Sequence, residues 1–179
     1  MGIGITRKID ELGRIVVPKE IRKKLNIKIG EPLEISIIDK ETFVVKKYSS
    51  MSHIVYYAEE LALSIYNNTN KTCLITDTNK VIAVGSLNNR SFLNKELSKK
   101  SYDIISLRNI YESKNSGKIN IFKDESINFE SQIIIPIIAA SDIVGSIILL
   151  GEGNNSTINS ADIAIIKTIT QFLSMKIEL

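Results

Sequence analysis

Seven cations fall within residues 4–25, at Arg7, Lys8, Arg14, Lys19, Arg22, Lys23 and Lys24, opposed only by Asp10, Glu11 and Glu20. Guanidinium offers a planar fork of donors and ammonium a compact point charge, and together on a rigid element they suit the phosphates of a polyanion. The chain has 18 lysines but only 5 arginines, and three of those arginines, Arg7, Arg14 and Arg22, stand in its first 22 residues. In a chain whose default cation is lysine, that concentration points to positions that need the fork rather than charge alone.

Other reactive side chains are scarce. Cys73 sits in the apolar run TCLIT, where a cysteine is usually a small core residue, and a single cysteine forms no intrachain disulfide. One cysteine and one histidine, His53, do not make an ordinary zinc site. Glu59 and Glu60 are neighbours on a predicted helix and project in different directions, as solvated carboxylates do. Arg90 and Arg108 could each meet an anionic ligand or a surface carboxylate. No glycine-rich phosphate loop and no Ser-His-Asp spacing stands out. The expectation is a protein without catalytic residues, metal or cofactor.

The 179 residues are 44% hydrophobic and 24% charged, with nine glycines and three prolines. That composition excludes a disordered chain, a collagen and a disulfide-stapled miniprotein. The first ten residues carry charge and no apolar h-region, and the apolar stretch 133–151 is broken by Pro136, Ser141, Asp142 and Ser146 into two strands around a turn. A cytoplasmic protein with no membrane span is expected.

Charge divides the chain. Residues 1–48 carry 11 Lys+Arg against 7 Asp+Glu, and residues 49–179 carry 12 against 13. The polar stretch Tyr48, Ser49, Ser50, Met51 and Ser52 marks the change, which predicts domains at 1–50 and 51–179.

In the first part, Ile3, Ile5 and Ile9 keep period 2, a turn follows at 11–13, and Ile15, Val16 and Val17 run to Pro18. Pro18 suits the first position of a short helix with Ile21 and Leu25 on its apolar side. Leu33, Ile35 and Ile37 then alternate with polar residues, and 43–47 returns as the second arm of a hairpin. Four strands and one small helix are predicted. So few residues bury too little surface to be stable alone, and pairing with a second copy is the expected remedy.

The second part predicts a helix at 54–66, strands at 72–77 and 81–85, a polar helix around 93–100, and strands near 118–123, 132–140 and 143–150. The last two strands join through a turn at Ser141 and Asp142. A closing helix opens at Asn159 or Ser160 and carries Ile163, Ile166, Ile169, Leu173 and Ile177 on one side. The fold class is α+β, with helices packed on an antiparallel sheet.

The run GITRKIDELGRIVVPKEIRKKLNIKIGEPLEI, followed by a hairpin ending VVKKY, resembles the AbrB-type DNA-binding domain of bacterial transition-state regulators. That resemblance implies a small β-barrel head in which two chains interleave swapped hairpins. It implicates Arg7, Lys8, Arg14, Arg22 and Lys23 in contacts with double-stranded DNA. Lys23 stands where family members often carry a second arginine. The segments CLITD, FLNKELS and IIIPIIAASDIVGSIILL after such a head are similar to sporulation regulators that join it to a GAF-like domain.

The resemblance thus implies a transcription regulator of spore development. It would bind AT-rich duplex DNA as a homodimer through the head and assemble as a homotetramer through the GAF-like domains. GAF-like domains include small-molecule sensors, so an unidentified effector is implied, with a pocket near 86–90. Two other readings are open at this level. One is an antitoxin-type DNA-binding protein whose C-terminal part binds a protein partner. The other is a GAF-like enzyme, which the single cysteine disfavours.

Overall fold

The computed structural model describes residues 5–25, 27, 29–30, 32–47, 54–86, 90–123, 127, 129–153 and 156–177. It divides into two compact units, residues 1–48 and 49–179.

In the first unit, helix α1 (Lys19–Lys24) precedes strands β1 (Leu33–Ile37) and β2 (Phe43–Lys47). The strands form an antiparallel hairpin with Leu33 opposite Lys47 and Ile37 opposite Phe43. Pro18 stands one place before the helix, not at its first position, and its carbonyl accepts the Arg22 N–H at 3.0 Å. Two strands are present among the described residues, not the four predicted. Ile5, Ile9 and residues 15–17 have the alternation of strands but form no ladder. Period-2 patterning specifies a face, whereas a strand also needs a hydrogen-bonded neighbour.

The second unit is built on a five-stranded antiparallel sheet in the order β4-β3-β7-β6-β5. Its strands are β3 (Thr72–Thr76), β4 (Val81–Gly85), β5 (Tyr111–Glu112), β6 (Ser131–Ala139) and β7 (Asp142–Gly151). Helix α2 (Val55–Thr69) leads into β3 and helix α5 (Ser160–Ile177) closes the chain. The short helices α3 (Lys99–Ser106) and α4 (Ser113–Ser116) lie between β4 and β6.

Nearly every residue of β3, β6 and β7 is buried, so their continuous apolar runs reflect cover on both faces. On one face Ile133, Ile135, Ile137, Ile147 and Leu149 pack with Ala58, Ala62 and Ile65 of α2 and with Ile166 and Leu173 of α5. Gly85 lets α2 approach: a Cβ there would lie 1.8 Å from the Ala62 carbonyl oxygen. On the other face Leu74, Ile134 and Ile148 meet Phe92, Phe122 and Phe129. Phe92 stacks on Phe122 at 5.0 Å and meets Phe129 edge-on at 6.1 Å.

Three local predictions are corrected. The β6–β7 turn is at Ala140 and Ser141, both with positive φ (48° and 67°), one residue earlier than the sequence pattern indicates. The polar helix lies at Lys99–Ser106, with Ser98 as its cap accepting the Ser101 N–H at 3.0 Å. No strand forms at 118–123, where Phe122 makes only a single bridge with Leu97. The backbone there is met partly by 96–98, with Ser98 N–H donating to the Ile121 carbonyl at 2.8 Å and Lys123 N–H to the Glu96 carbonyl at 3.1 Å, and partly by side chains that take the place of a neighbouring strand. The Gln132 amide accepts the Ile119 N–H at 2.9 Å and donates to the Ile119 carbonyl at 2.8 Å. Ser98 donates to the Asn120 carbonyl at 2.6 Å, and Ser101 to that of Ile121 at 2.9 Å. Backbone groups satisfied in this way do not require a ladder. Among the described residues, no helix is long and apolar enough to cross a membrane.

Candidate nucleic-acid interface

The basic run is shaped first by a tight turn. Gly13, at φ +74°, donates to the Asp10 carbonyl at 2.9 Å, and Asp10 N–H donates to the Arg14 carbonyl at 3.1 Å. The Asp10 carboxylate closes the loop from inside. It accepts the backbone N–H groups of Leu12 at 3.0 Å and Arg14 at 2.8 Å, and the Arg14 Nε–H at 2.8 Å. An aspartate bonding the backbone two residues on is the usual chemistry of such turns. These bonds, led by that from the Arg14 backbone N–H, hold the Asp10 carboxyl below its ordinary value. Asp10 engages Arg14 through Nε, and among the described residues no hydrogen bond is made by the two terminal nitrogens of the fork, a geometry that can accept an anion.

Helix α1 supplies the next cations. Lys19, Lys23 and Lys24 are exposed, whereas Arg22 is half-buried and its Nε is buried without a hydrogen-bond partner among the described residues. Arg7 and Lys8 are exposed on the chain leading into the turn. The five predicted residues therefore occupy three neighbouring segments of one unit, and among the described residues Arg14 is the one held by an acid. In the sequence Asp10 reads only as an opposing charge, and its role as the clamp of Arg14 is missed. The signal for that role is an aspartate ahead of a glycine turn.

The same unit exposes much apolar surface. Pro18 is its one buried residue among those described, while Ile37 is 84% and Leu12 75% exposed. Ile9, Ile15, Val17, Ile21, Leu33 and Val45 line an open apolar cavity of about 440 Å³, with Arg7 at its border.

The reactive side chains of the second unit are quiet. Cys73 is fully buried, and burial pushes its thiol far up, away from the reactive thiolate. Glu59, Glu60 and Arg108 are exposed, and Arg108 has φ +59° just beyond α3. His53, residues 87–89 and the side chain of Arg90 lie outside the described residues, so most of the predicted pocket near 86–90 does as well. No group of three metal-ligating side chains occurs among the described residues.

Residues 53–178 match the family model described as stage V sporulation protein T C-terminal, transcription factor. The chain belongs to the stage V sporulation protein T family. It is 30% identical over 175 residues to stage V sporulation protein T of Bacillus subtilis, covering 98% of this chain and 97% of that protein. Residues 6–52 match a second family model, that of the MazE bacterial antitoxins, described as antidote-toxin recognition. The transition state regulatory protein AbrB of Bacillus subtilis is 51% identical over 45 residues, which is 25% of this chain and 46% of AbrB.

Among solved structures, the GAF domain of an Acinetobacter phosphoenolpyruvate-protein phosphotransferase superposes with a TM-score of 0.56 at 13% identity. It covers 74% of this chain and 84% of that one. The PixJ GAF domain of Thermosynechococcus elongatus, in its blue-light absorbing form, gives 0.55 at 10% identity over 74% and 89%. These likenesses show a GAF fold. With an AbrB-like first domain, the chain is an α+β member of its family.

Proposed function

We propose that this protein is a DNA-binding transcription regulator of spore development, with a DNA-binding and dimerisation domain at 1–50 and a GAF-like sensor domain at 51–179. The observation that carries the reading is the Asp10-clamped fork of Arg14, set in a unit that buries only Pro18 among its described residues. A surface so apolar calls for a partner, and a second copy offers the same hydrophobic residues and unpaired strand edges. In an interleaved dimer, residues 5–9 and 15–17 would gain the ladder partners that they lack in one chain. Arg7, Lys8, Arg14, Arg22 and Lys23 would then appear twice about a twofold axis, facing duplex phosphates.

Helix α1 is only six residues long, which does not suit a recognition helix laid deep in a groove. Sequence preference is therefore expected to follow DNA shape, with AT-rich sites favoured. Tyr57, Leu61 and Phe172 border an open groove on α2 and α5, a surface that supports a homotetramer through the second domains. A small effector acting on the second domain completes the reading, in the cytoplasm. Fluorescence anisotropy of a labelled AT-rich duplex with the full-length protein tests it. If the dimer engages on the order of 6 to 10 phosphates, affinity should fall about 10³- to 10⁵-fold between 50 and 200 mM salt. No binding at low salt overturns the reading.

The antitoxin alternative draws on the match of residues 6–52 to the MazE model. It would require a C-terminal part that neutralises a toxin. The sheet of the second unit, with buried strands and two covering helices, favours a folded sensor instead. Limited proteolysis separates the two: a resistant fragment from about residue 53 onward supports the sensor domain, and rapid digestion supports a flexible tail.

A further inference from the structure

The second unit holds a trough that neither its core nor the DNA reading uses. On one face of the sheet, α2 lies on β4 and β3 and α5 on β6 and β7, which leaves the edge strand β5 beyond the rim of α5. Glu112 of β5 is the register partner of Ile133 of β6, and cross-strand partners project from the same face. Ile133 belongs to the core beneath α2 and α5, so the trough opens on the helix-covered face. The opposite face is filled by the Phe92, Phe122 and Phe129 cluster. The trough has a volume of about 500 Å³, within the range of small-molecule sites.

Its walls are fixed. Ser131 Oγ donates to the Ser156 carbonyl across Gly151, and a Cβ on Gly151 would lie 2.1 Å from that carbonyl oxygen. Ser113 Oγ accepts the Gln132 N–H at 2.9 Å, while the Gln132 side chain is bound to Ile119. Along these walls stand two acids, Glu112 and Glu130, and two bases, Lys114 and Lys118, yet no ion pair joins them among the described residues. The floor is apolar, made by Ile133, Ile158 and Ile163.

Opposite charges that line one cavity without pairing, around an aliphatic floor, match a ligand carrying both charges and an aliphatic body. We infer that this trough binds a small aliphatic zwitterion, a free amino acid or dipeptide. Its carboxylate would lie on Lys114 and Lys118, its ammonium on Glu112 and Glu130, and its side chain on the three isoleucines. The regulatory meaning of such binding rests on the function proposed above; the site itself does not.

The test is calorimetric titration of the full-length protein with L-leucine and with L-leucyl-L-leucine. Two analogues, 4-methylpentanoate without the ammonium and 3-methylbutylamine without the carboxylate, serve as comparisons. At least one zwitterion should bind with Kd at or below about 1 mM, and both analogues about tenfold or more weakly. The exposed double variant K114E/K118E should keep the melting temperature and lose about tenfold or more in affinity for the zwitterion. Absence of binding by both zwitterions, equal binding of the analogues, or binding unchanged in the variant overturns the assignment. Anisotropy with the duplex, run in parallel, keeps the two readings apart. Failure of DNA binding with leucine bound sinks the regulator alone, and intact DNA binding with no zwitterion bound sinks the trough alone.

Discussion

Lys71 and Asp162 form an ion pair inside the second unit, with Nζ 3.1 Å from Oδ2 and side chains only 7% and 6% exposed. Lys71 follows Asn70, the left-handed residue that ends α2, and its ammonium also donates to the Thr69 carbonyl at 3.1 Å. Asp162 accepts the Asn159 N–H at 2.9 Å, while Asn159 Oδ1 accepts from Ala161 and Asp162 at 2.8 and 3.0 Å. The pair thus ties the end of α2 to a reciprocal cap at the start of α5.

Breaking one side of this pair strands a buried charge. Asp162→Ala or Lys71→Met should each cost about 3–5 kcal/mol, whereas the double variant K71M/D162L should recover much of the loss. Urea denaturation followed by circular dichroism reads all three. Equal destabilisation by the single and double variants would show that the charges matter less than the space they fill.

Arg14→Ala should weaken duplex binding at every sequence without unfolding the head. Removing one phosphate-binding cation from each chain of a dimer lowers the slope of log K against log salt by about 2. An unchanged slope with an intact fold would remove Arg14 from the interface.

The Asp10 carboxyl is lowered from an ordinary 3.8 by the N–H groups of the turn. A depressed carboxyl contributes stability that is fully present above the unfolded value and is lost as pH falls through the folded one. Its contribution is therefore constant from about pH 5 to 8 and disappears only below about 3.8. Carboxyl-carbon NMR should find Asp10 titrating below 3.8 in the native protein and nearer to it in Arg14→Ala. A native value at or above 3.8 would contradict the clamp.

Gly85→Ala should be strongly destabilising, since the new Cβ meets backbone of α2, which has no rotamer to yield. A cost of about 1–3 kcal/mol or more is expected in thermal melts. A neutral outcome would mean that α2 is less closely seated on β4 than the Ala62 carbonyl indicates.

Much of this was readable in the sequence, for identifiable reasons. The β-branched runs around Ile133 and Ile147 and the stripe from Ile163 to Ile177 carry periods long enough to place β6, β7 and α5. The concentration of Arg7, Arg14 and Arg22 singled out the basic turn and helix without help from the fold. Residues 118–123 misled because their alternation is real, but the groups that satisfy their backbone come from Gln132, Glu96, Ser98 and Ser101, elsewhere in the chain. The trough was invisible for a similar reason: Glu112, Glu130 and Ile158 belong to three segments that only the sheet edge brings together. Lys71 and Asp162, 91 positions apart by their numbers, show no local pattern at all.

The order of strands carries a consequence for synthesis. β3 pairs with β7, so Thr72 waits for Leu150, and the β3–β4 hairpin has no inner neighbour until the last strand has left the ribosome. The head has emerged long before, with its apolar side chains bare, and can meet the head of an adjacent nascent chain while the sheet is still unmade. In the dimer proposed above, a message cut short between the end of the first unit and β7 would leave a segment that keeps the pairing surface but lacks the strand that centres the second domain. If such a fragment pairs with full-length chains, premature stops between the head and β7 are expected to be more damaging than deletion of the whole gene.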